Sequence, residues 1–341
     1  MPLRKKDLTD ISSIESILKK YDGLLERGDS ETFKYTRIPF DISPLDILIG
    51  GGIPRKRITI FTGKSNTGKS FLASQVVKSV QKMGGIAAWI DTEISWDDIW
   101  MTKCGVDCNK LLLSQPTTGE EALDLIRGLM NDGIDLIVLD SVAGLVPSAV
   151  QEESFSYNPM AWQARFINQS LPKLLSSLKY GSALIAINQL RSSIGPFSSA
   201  PMPGGVGQTY FSHGILETRR AGWIEEHGEK VGFDINIIFR KSKTGGLVYQ
   251  SCTVPFKLEG TFDILEVYIR EALASDIIVK SGSWFQISWN GHREHGQNGL
   301  HDYFLSNPEE VNILKMKIGG IDKSFVTTNN IEDDSDALDS L

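Results

Sequence analysis

The residues of this chain that are best suited to chemistry are eight consecutive ones, Gly63-Lys64-Ser65-Asn66-Thr67-Gly68-Lys69-Ser70. They follow an apolar run and precede a helical pattern, which is the context that a phosphate-binding loop requires. Glycines there let backbone N–H groups converge on phosphate oxygens, and the start of the following helix adds its positive dipole end. We expect Lys69 to reach the β- and γ-phosphates of a bound nucleotide and the Ser70 hydroxyl to bind Mg²⁺.

Two carboxylates follow other apolar runs. Asp140 ends the run Ile134–Leu139, where a carboxylate beside the phosphate-binding loop can help to hold Mg²⁺. Glu93 follows Ala87–Ile90 and could orient a water molecule toward the γ-phosphate. Each has a structural alternative, because Asp140 could cap a turn and Glu93 could be an N-cap or a surface residue. The upstream loop favours metal contact for Asp140, whereas the pattern alone leaves Glu93 open.

The elements that must position these residues alternate between strands and helices. We predict strands at Ile58–Thr62, Ala87–Ile90, Ile134–Leu139, Ala183–Ile187, Ile235–Arg240 and Thr253–Leu258, and helices at Ser70–Met83, Gly119–Asn131 and Met160–Leu178. This alternation predicts an α/β protein with a mainly parallel sheet covered by helices. Ser192–Gly207 breaks the pattern, since it is rich in Ser, Pro and Gly, and is predicted to be a long mobile loop.

The two ends of the chain differ from this core. Apolar residues spaced by three and four predict an amphipathic amino-terminal helix that packs on its own core or on a neighbouring subunit: Ile11, Ile14, Leu18, Tyr21 and Leu25. From Phe262 to Pro308 the sequence pattern differs: it predicts a helix and then an aromatic-rich turn that includes Trp284 and Phe285. This difference predicts a small carboxy-terminal domain. Ile331–Leu341 is predicted to be a disordered acidic tail.

Composition excludes several classes of protein. The chain has neither a signal-peptide apolar core nor the 18 or so consecutive apolar residues of a membrane helix, so we expect a cytoplasmic protein. Three cysteines are too few for a disulfide framework. The net charge is −7, but five carboxylates lie after Ser324, so residues 1–323 carry only −2. Such a body can present local basic surfaces, and the tail could compete with nucleic-acid phosphates for them or merely aid solubility.

Five motifs in order make the chain resemble RecA recombinases from Thr36 to Pro308: Gly51-Gly52-Ile53-Pro54, Ile90-Asp91-Thr92-Glu93, Leu139-Asp140-Ser141-Val142-Ala143, Asn188-Gln189-Leu190-Arg191 and Pro203-Gly204-Gly205. The resemblance implies an α/β fold: a RecA-like P-loop core with a mainly parallel central sheet, an N-terminal oligomerisation helix and a small α+β C-terminal domain. The implied limits are 1–33 for the helix and linker, 34–260 for the core, 261–330 for the small domain and 331–341 for the tail.

The resemblance also implies roles around a bound ATP. Glu93 is similar to the catalytic carboxylate that activates water, and Gln189 to the sensor of the γ-phosphate. Asp97 and Trp100 match the positions that hold adenine, where Trp replaces the more common Tyr. Lys241 and Lys243 resemble a lysine pair that reaches across the subunit interface to the neighbour's ATP.

Contacts with DNA are implied in the same way. Met160 and Arg165 match the first DNA-binding loop and the helix after it, and Ile194, Gly204 and Gly205 match the second loop. Ser283-Trp284-Phe285 lies in the segment that resembles the family's small domain, for which the resemblance implies a role in receiving duplex DNA. The sequence departs from the family pattern at Pro172, Val206 and Thr209, and the second loop is slightly shorter.

The expected function is an ATP-dependent recombinase and DNA-dependent ATPase that uses ATP and Mg²⁺. Its expected partners are single-stranded DNA, a duplex as second substrate, further copies of the chain in a helical filament, and loading and single-strand-binding proteins; no membrane is expected. A ring-forming motor, a non-hydrolysing mediator and a small-molecule kinase are the alternatives. The stretch Asn188–Gly205 fits a ring-forming motor poorly, and the intact Lys69, Ser70, Glu93 and Asp140 argue against a mediator. A kinase would need a second substrate site, and nothing in the sequence resembles one.

Overall fold

The computed structural model describes residues 11–151, 160–190, 207–226 and 228–319, and the chain divides into two compact units between Thr36 and Arg37. In the first unit, helix α1 spans Ile11–Lys20, and Glu31–Phe33 form one turn of 3-10 helix. The spacing of apolar residues predicts a helix that continues to Leu25, and this prediction is wrong. Gly23 adopts a left-handed φ of +75°, and the chain turns there before the pattern ends.

The second unit contains the remaining helices and strands. Its helices are α2 (Ser43–Leu48), α3 (Lys69–Lys82), α4 (Asp98–Lys103), α5 (Gly119–Asn131), α6 (Ser148–Gln151), α7 (Met160–Ser177), α8 (Gly207–Phe211), α9 (Ile264–Ala274), α10 (Gly296–Ser306) and α11 (Pro308–Gly319). Its strands are β1 (Arg37–Ile38), β2 (Ile53–Pro54), β3 (Ile58–Gly63), β4 (Ala87–Asp91), β5 (Leu111–Ser114), β6 (Leu136–Asp140), β7 (Ala183–Gln189), β8 (Gly214–Glu226), β9 (Glu229–Ser242), β10 (Ser251–Lys257), β11 (Thr261–Phe262), β12 (Ile278–Ser281), β13 (Trp284–Ile287) and β14 (Arg293–His295).

A nine-stranded sheet in the order β11-β10-β9-β8-β3-β7-β6-β4-β5 forms the centre of this unit. The strands from β8 to β5 are parallel, and β9, β10 and β11 extend the sheet by antiparallel pairing. All six residues of β3 are buried, because α3 covers one face of the sheet and α5 and α7 cover the other. The prediction of an α/β fold with a mainly parallel central sheet is confirmed.

The carboxy-terminal part of the unit, from α9 to α11, surrounds a separate apolar core. Strands β12, β13 and β14 form an antiparallel sheet, and Ile269, Phe285, Leu300 and Phe304 are among the buried residues beside it. The prediction of an aromatic-rich turn at Trp284-Phe285 is wrong, since both residues lie in β13. Phe285 points into the core and Trp284 is half exposed, as alternation along a strand requires. The limits of 34–260 and 261–330 for two domains stay predictions.

Two further predictions fall wholly or partly outside the described residues. Of the long loop predicted at Ser192–Gly207, only Gly207, the first residue of α8, is described. The predicted acidic tail lies beyond Gly319, the last described residue. Among the described helices, none combines the length and the apolar character needed to cross a membrane.

Candidate functional site

The predicted phosphate-binding loop connects the carboxyl end of β3 to the first turn of α3. Gly68 precedes the helix with a left-handed φ of +89°, and a Cβ there would lie 2.4 Å from Cδ1 of Ile235. A Cβ on Gly63 would lie 2.4 Å from the carbonyl oxygen of Thr218. Neither position has room for a side chain, so the loop backbone lies close against β8 and β9.

Hydroxyl groups fix the shape of this loop. Thr67 Oγ1 donates to the carbonyl oxygen of Lys64 at 2.9 Å and lies 2.7 Å from Oγ1 of Thr218. Asn66 has a φ of +56°, the left-handed conformation that Asn tolerates better than most residues. Ser65 and Asn66 are exposed at the tip of the loop. The loop is therefore open to solvent on one side and anchored to β8 on the other.

Lys69 and Ser70, the first two residues of α3, both meet groups at this end of the sheet. The buried Lys69 donates from Nζ to the carbonyl oxygen of Lys64 at 2.7 Å. Burial lowers the pKa of Lys69, and the charges of Asp140 and Glu93 act in the opposite direction. Ser70 Oγ donates to Oδ2 of Asp140 at 2.8 Å. The cation, the hydroxyl and the carboxylate that the sequence assigned to one site thus lie together.

Asp140 is buried at the end of β6, directly beside β4. Burial raises its pKa to about 6; the hydrogen bond from Ser70 lowers it, while the charges of Glu93 and Asp91 raise it further. Burial disfavours the charged form of a carboxylate, and a nearby cation stabilises that form. Ser70 and Asp140 thus offer a hydroxyl and a carboxylate oxygen, ligands suited to a hard cation such as Mg²⁺.

Glu93 lies on the turn after β4, with its side chain exposed on the same edge of the sheet. One carboxylate oxygen, Oε1, accepts a short hydrogen bond from the hydroxyl of Ser141. The buried Asp91 shapes the turn, because its carboxylate accepts from the backbone N–H groups of Glu93, Ser95 and Trp96 at 2.9–3.2 Å. The N-cap alternative for Glu93 finds no support here, since the side chain that caps the next helix, α4, is that of Asp97.

Gln189, the predicted γ-phosphate sensor, is the last residue of β7 and pairs in register with Gly63 of β3. The backbone N–H of Leu190 donates to the carbonyl oxygen of Gly63 at 2.9 Å. The strand end that carries Gln189 is therefore bonded directly to the start of the phosphate-binding loop. A shift of the backbone at Gln189 would therefore also move the backbone at Gly63.

Asp97 and Trp100, the predicted adenine contacts, belong to α4. Asp97 caps this helix and accepts from the backbone N–H of Trp100 at 2.9 Å. The half-buried indole of Trp100 lies edge-on to Phe256, with ring centroids 6.3 Å apart. One part of the ring therefore packs on the core while the rest remains accessible, so the structure is compatible with both core packing and base stacking.

Lys241 and Lys243 lie at the opposite edge of the sheet from their own phosphate-binding loop. Lys241 pairs with Ile215 of β8, and Ile215 pairs with Ile60 of β3. Ile60 precedes Gly63 by three residues, so Lys241 lies level with a point about 10 Å before the loop along the strands. Lys241 Nζ donates to the carbonyl oxygen of Thr209, and Lys243 Nζ donates to that of Tyr210 at 2.6 Å. Both acceptors lie in α8, so neither amine points toward the loop of its own chain.

The predicted DNA-binding residues are only partly described. Met160 begins α7, and Arg165 lies exposed one turn later on the same helix. Ile194, Gly204 and Gly205 lie outside the described residues. Pro172, one of the departures from the family pattern, is exposed within α7.

Sequence reasoning missed two side chains that shape this site, Ser141 and Thr218. Both were hidden because their roles depend on pairing between distant strands: Ser141 meets Glu93, and Thr218 meets the loop at Thr67. The available signals for Ser141 were its place directly after Asp140 and its membership of the motif Leu139-Asp140-Ser141-Val142-Ala143, and neither indicates a contact with Glu93.

Comparisons with known proteins match most of this chain. The family model described as the RecA N-terminal domain matches residues 8–265. Protein RecA of Aquifex pyrophilus is 37% identical over 315 residues, which cover 90% of this chain and 89% of the relative. Protein RecA of Thermus aquaticus is 33% identical over 319 residues, covering 90% and 93%, and that of Cutibacterium acnes is 34% identical over 322 residues, covering 90% of each. With its phosphate-binding loop, its ordered motifs and matches of this extent, the chain belongs to the RecA family of DNA recombinases.

Proposed function

We propose that this recombinase binds and hydrolyses ATP with Mg²⁺, forms a helical filament on single-stranded DNA, and exchanges that strand with a homologous duplex. The observation that carries the proposal is the convergence of Lys69, Ser70, Asp140 and Glu93 at one edge of the sheet. We place the protein in the cytoplasm, and we expect loading and single-strand-binding proteins as further partners.

The residues present fit a nucleotide with its metal ion. Contacts at Gly63, Gly68 and Thr67 hold the loop backbone against β8 and β9, while its tip stays exposed and accessible to phosphates. Ser70 and Asp140 supply oxygen ligands for Mg²⁺. When bound, the metal ion neutralises phosphate charge. The amine of Lys69 donates to the carbonyl oxygen of Lys64 within the loop, and from this position it can donate to a phosphate oxygen instead. Glu93 accepts a proton from the attacking water at Oε2, the oxygen that Ser141 does not occupy.

The position of Lys241 and Lys243 supports a role for them in trans. Because their amines lie at the far edge of the sheet, they cannot reach the nucleotide of their own chain, but they can meet that of a neighbour stacked on this edge. A site completed in this way is formed only in the assembly. Hydrolysis is thereby coupled to filament formation.

A pH prediction follows from Lys241. Burial, aided by the charge of Lys243, lowers the pKa of Lys241 to about 8, so free subunits lose this positive charge as pH rises through that value. We expect filament assembly at limiting ATP to decline between about pH 7 and pH 9. In Lys241→Arg the guanidinium stays charged over this range, so assembly relative to its value at pH 7 should stay level. Light scattering during assembly measures both profiles, and parallel profiles would contradict the assignment.

A second prediction concerns Trp100. If its accessible face stacks on adenine, Trp100→Ala should weaken nucleotide binding by about 1–3 kcal/mol, the range found for base–aromatic stacking. Trp100→Phe should retain much of the affinity, and ATP should perturb the indole fluorescence of the wild-type protein. Because Trp100 also packs on Phe256, unfolding temperatures must be compared in parallel. Unchanged nucleotide affinity in Trp100→Ala would return this residue to a purely structural role.

Electron microscopy with single-stranded DNA and a slowly hydrolysed ATP analogue tests the proposed function. We expect helical filaments. Rings would favour a replicative-helicase-like motor, and the absence of any assembly would favour the mediator or kinase alternatives.

A further inference from the structure

Glu93 lies on an exposed turn, yet its carboxylate is held by a buried side chain of another strand end. The hydroxyl of Ser141 donates to Oε1 of Glu93, and Ser141 is only 2% exposed. A hydrogen bond from a hydroxyl to a carboxylate is short and roughly twice as strong as one between neutral groups. An exposed Glu side chain otherwise samples several rotamers, so this contact restricts the position of the carboxylate.

The backbone of Ser141 is fixed against the same turn. Its N–H donates to Oγ1 of Thr92 at 3.0 Å, and that hydroxyl donates in turn to the carbonyl oxygen of Ser141 at 2.6 Å. The N–H of Thr92 also donates to the carbonyl oxygen of Asp140 at 2.8 Å. Three hydrogen bonds thus join the end of β4 to the end of β6 immediately beside Glu93.

The direction of the Ser141 hydroxyl is also determined. Its oxygen accepts from the backbone N–H of Ala143 at 3.2 Å, which leaves the hydroxyl proton for Glu93. Ser141 follows Asp140 directly, so one dipeptide presents both the proposed metal ligand and the group that holds the proposed base. The distance between Asp140, the proposed metal ligand, and Glu93, the proposed base, is therefore restricted by the peptide unit that joins Asp140 to Ser141 and by the hydrogen bond from Ser141 to Glu93.

We propose that Ser141 is a positioning residue for hydrolysis: it holds Oε1 of Glu93 and leaves Oε2 free to accept the proton of the attacking water. This inference rests on the proposed role of Glu93 in hydrolysis. Misplacement of a catalytic group by about 1 Å can cost about 100-fold in rate. A side chain that acts only through Glu93 should affect turnover and leave nucleotide affinity unchanged.

The test uses Ser141→Ala, and Ser141→Cys as a variant of similar volume that folds into the same space but donates weakly. Both should lower kcat for ATP on single-stranded DNA by roughly 10- to 100-fold, with the affinity for ATP changed by less than about twofold. Ser95→Ala is the matched control, since it removes a hydroxyl from the same turn that contacts Asp91 and not Glu93. Its kcat should stay within about twofold of wild type.

A double-mutant cycle in turnover separates positioning from a merely structural role, and a second cycle in stability tests the contact itself. In the Glu93→Gln background, Ser141→Ala should lower kcat by less than about a further twofold, because the group it positions is already lost. In the nucleotide-free protein, the unfolding free energies of Ser141→Ala and Glu93→Ala should be non-additive. Additive effects in either cycle would overturn the proposal.

The outcome also distinguishes this inference from the proposed function. If Glu93→Gln turns over ATP like wild type, the role of Glu93 fails and that of Ser141 fails with it. If Glu93→Gln is inactive while Ser141→Ala and Ser141→Cys have wild-type kcat, only the role of Ser141 is overturned.

Discussion

Glu93→Gln should lower ATP hydrolysis on single-stranded DNA by at least about 100-fold, because the amide cannot take a proton from the attacking water. Nucleotide binding should stay close to wild type, since Lys69, Ser70 and Asp140 are untouched. Filaments formed with ATP should therefore persist longer than those of the wild-type protein. Phosphate release and filament lifetime on the same DNA measure the two effects.

Two controls bracket this result. Glu309→Gln makes the same chemical change at an exposed position in the first turn of α11 and should be without effect. Lys69→Ala removes the buried cation of the loop and should abolish turnover. Hydrolysis by Glu93→Gln at the wild-type rate would show that another group activates the water.

Mixing two inactive variants should restore activity if the site is completed by a neighbour. Lys241→Ala should bind ATP as an isolated subunit and hydrolyse it poorly in the filament. Where a Lys241→Ala subunit meets a Glu93→Gln neighbour that supplies intact lysines, one site regains both Glu93 and Lys241. Titrating one variant into the other and following hydrolysis should give a maximum at intermediate ratios.

The matched control for this mixture is Glu93→Gln with Lys69→Ala. Both residues belong to the same side of the interface, so no arrangement of these two variants yields a complete site. Equal recovery in both mixtures, or none at any ratio of Lys241→Ala to Glu93→Gln, would contradict catalysis in trans.

The sequence predicted the parts of the fold whose signals are local. Strand β3 is buried on both faces and was predicted from the apolar residues Ile58, Ile60 and Phe61, and α5 was predicted with its observed bounds. Strand β8 was missed, because its second half contains Arg219, Arg220, Gly222 and Glu225 and so lacks the apolar run that marked the predicted strands. In β13, a strand of four residues between glycine-containing turns, the alternation of Trp284 and Phe285 was too short to recognise.

The candidate site was predictable in composition but not in arrangement. The loop motif alone identified Lys69 and Ser70, and the strand end identified Asp140, since these depend on neighbours in the chain. The contact of Ser141 with Glu93 depends on pairing between β4 and β6, and the displacement of Lys241 from the loop depends on the register of β8 with β3. Register between distant strands is set by tertiary packing, which no local pattern records.

The most direct test of the recombinase assignment is strand exchange between circular single-stranded DNA and a homologous linear duplex. We expect joint molecules with ATP, none without nucleotide, none with Lys69→Ala, and none with a duplex of unrelated sequence. The contradicting result would be wild-type protein that hydrolyses ATP on single-stranded DNA and yet forms no joint molecules, or forms them equally with the unrelated duplex.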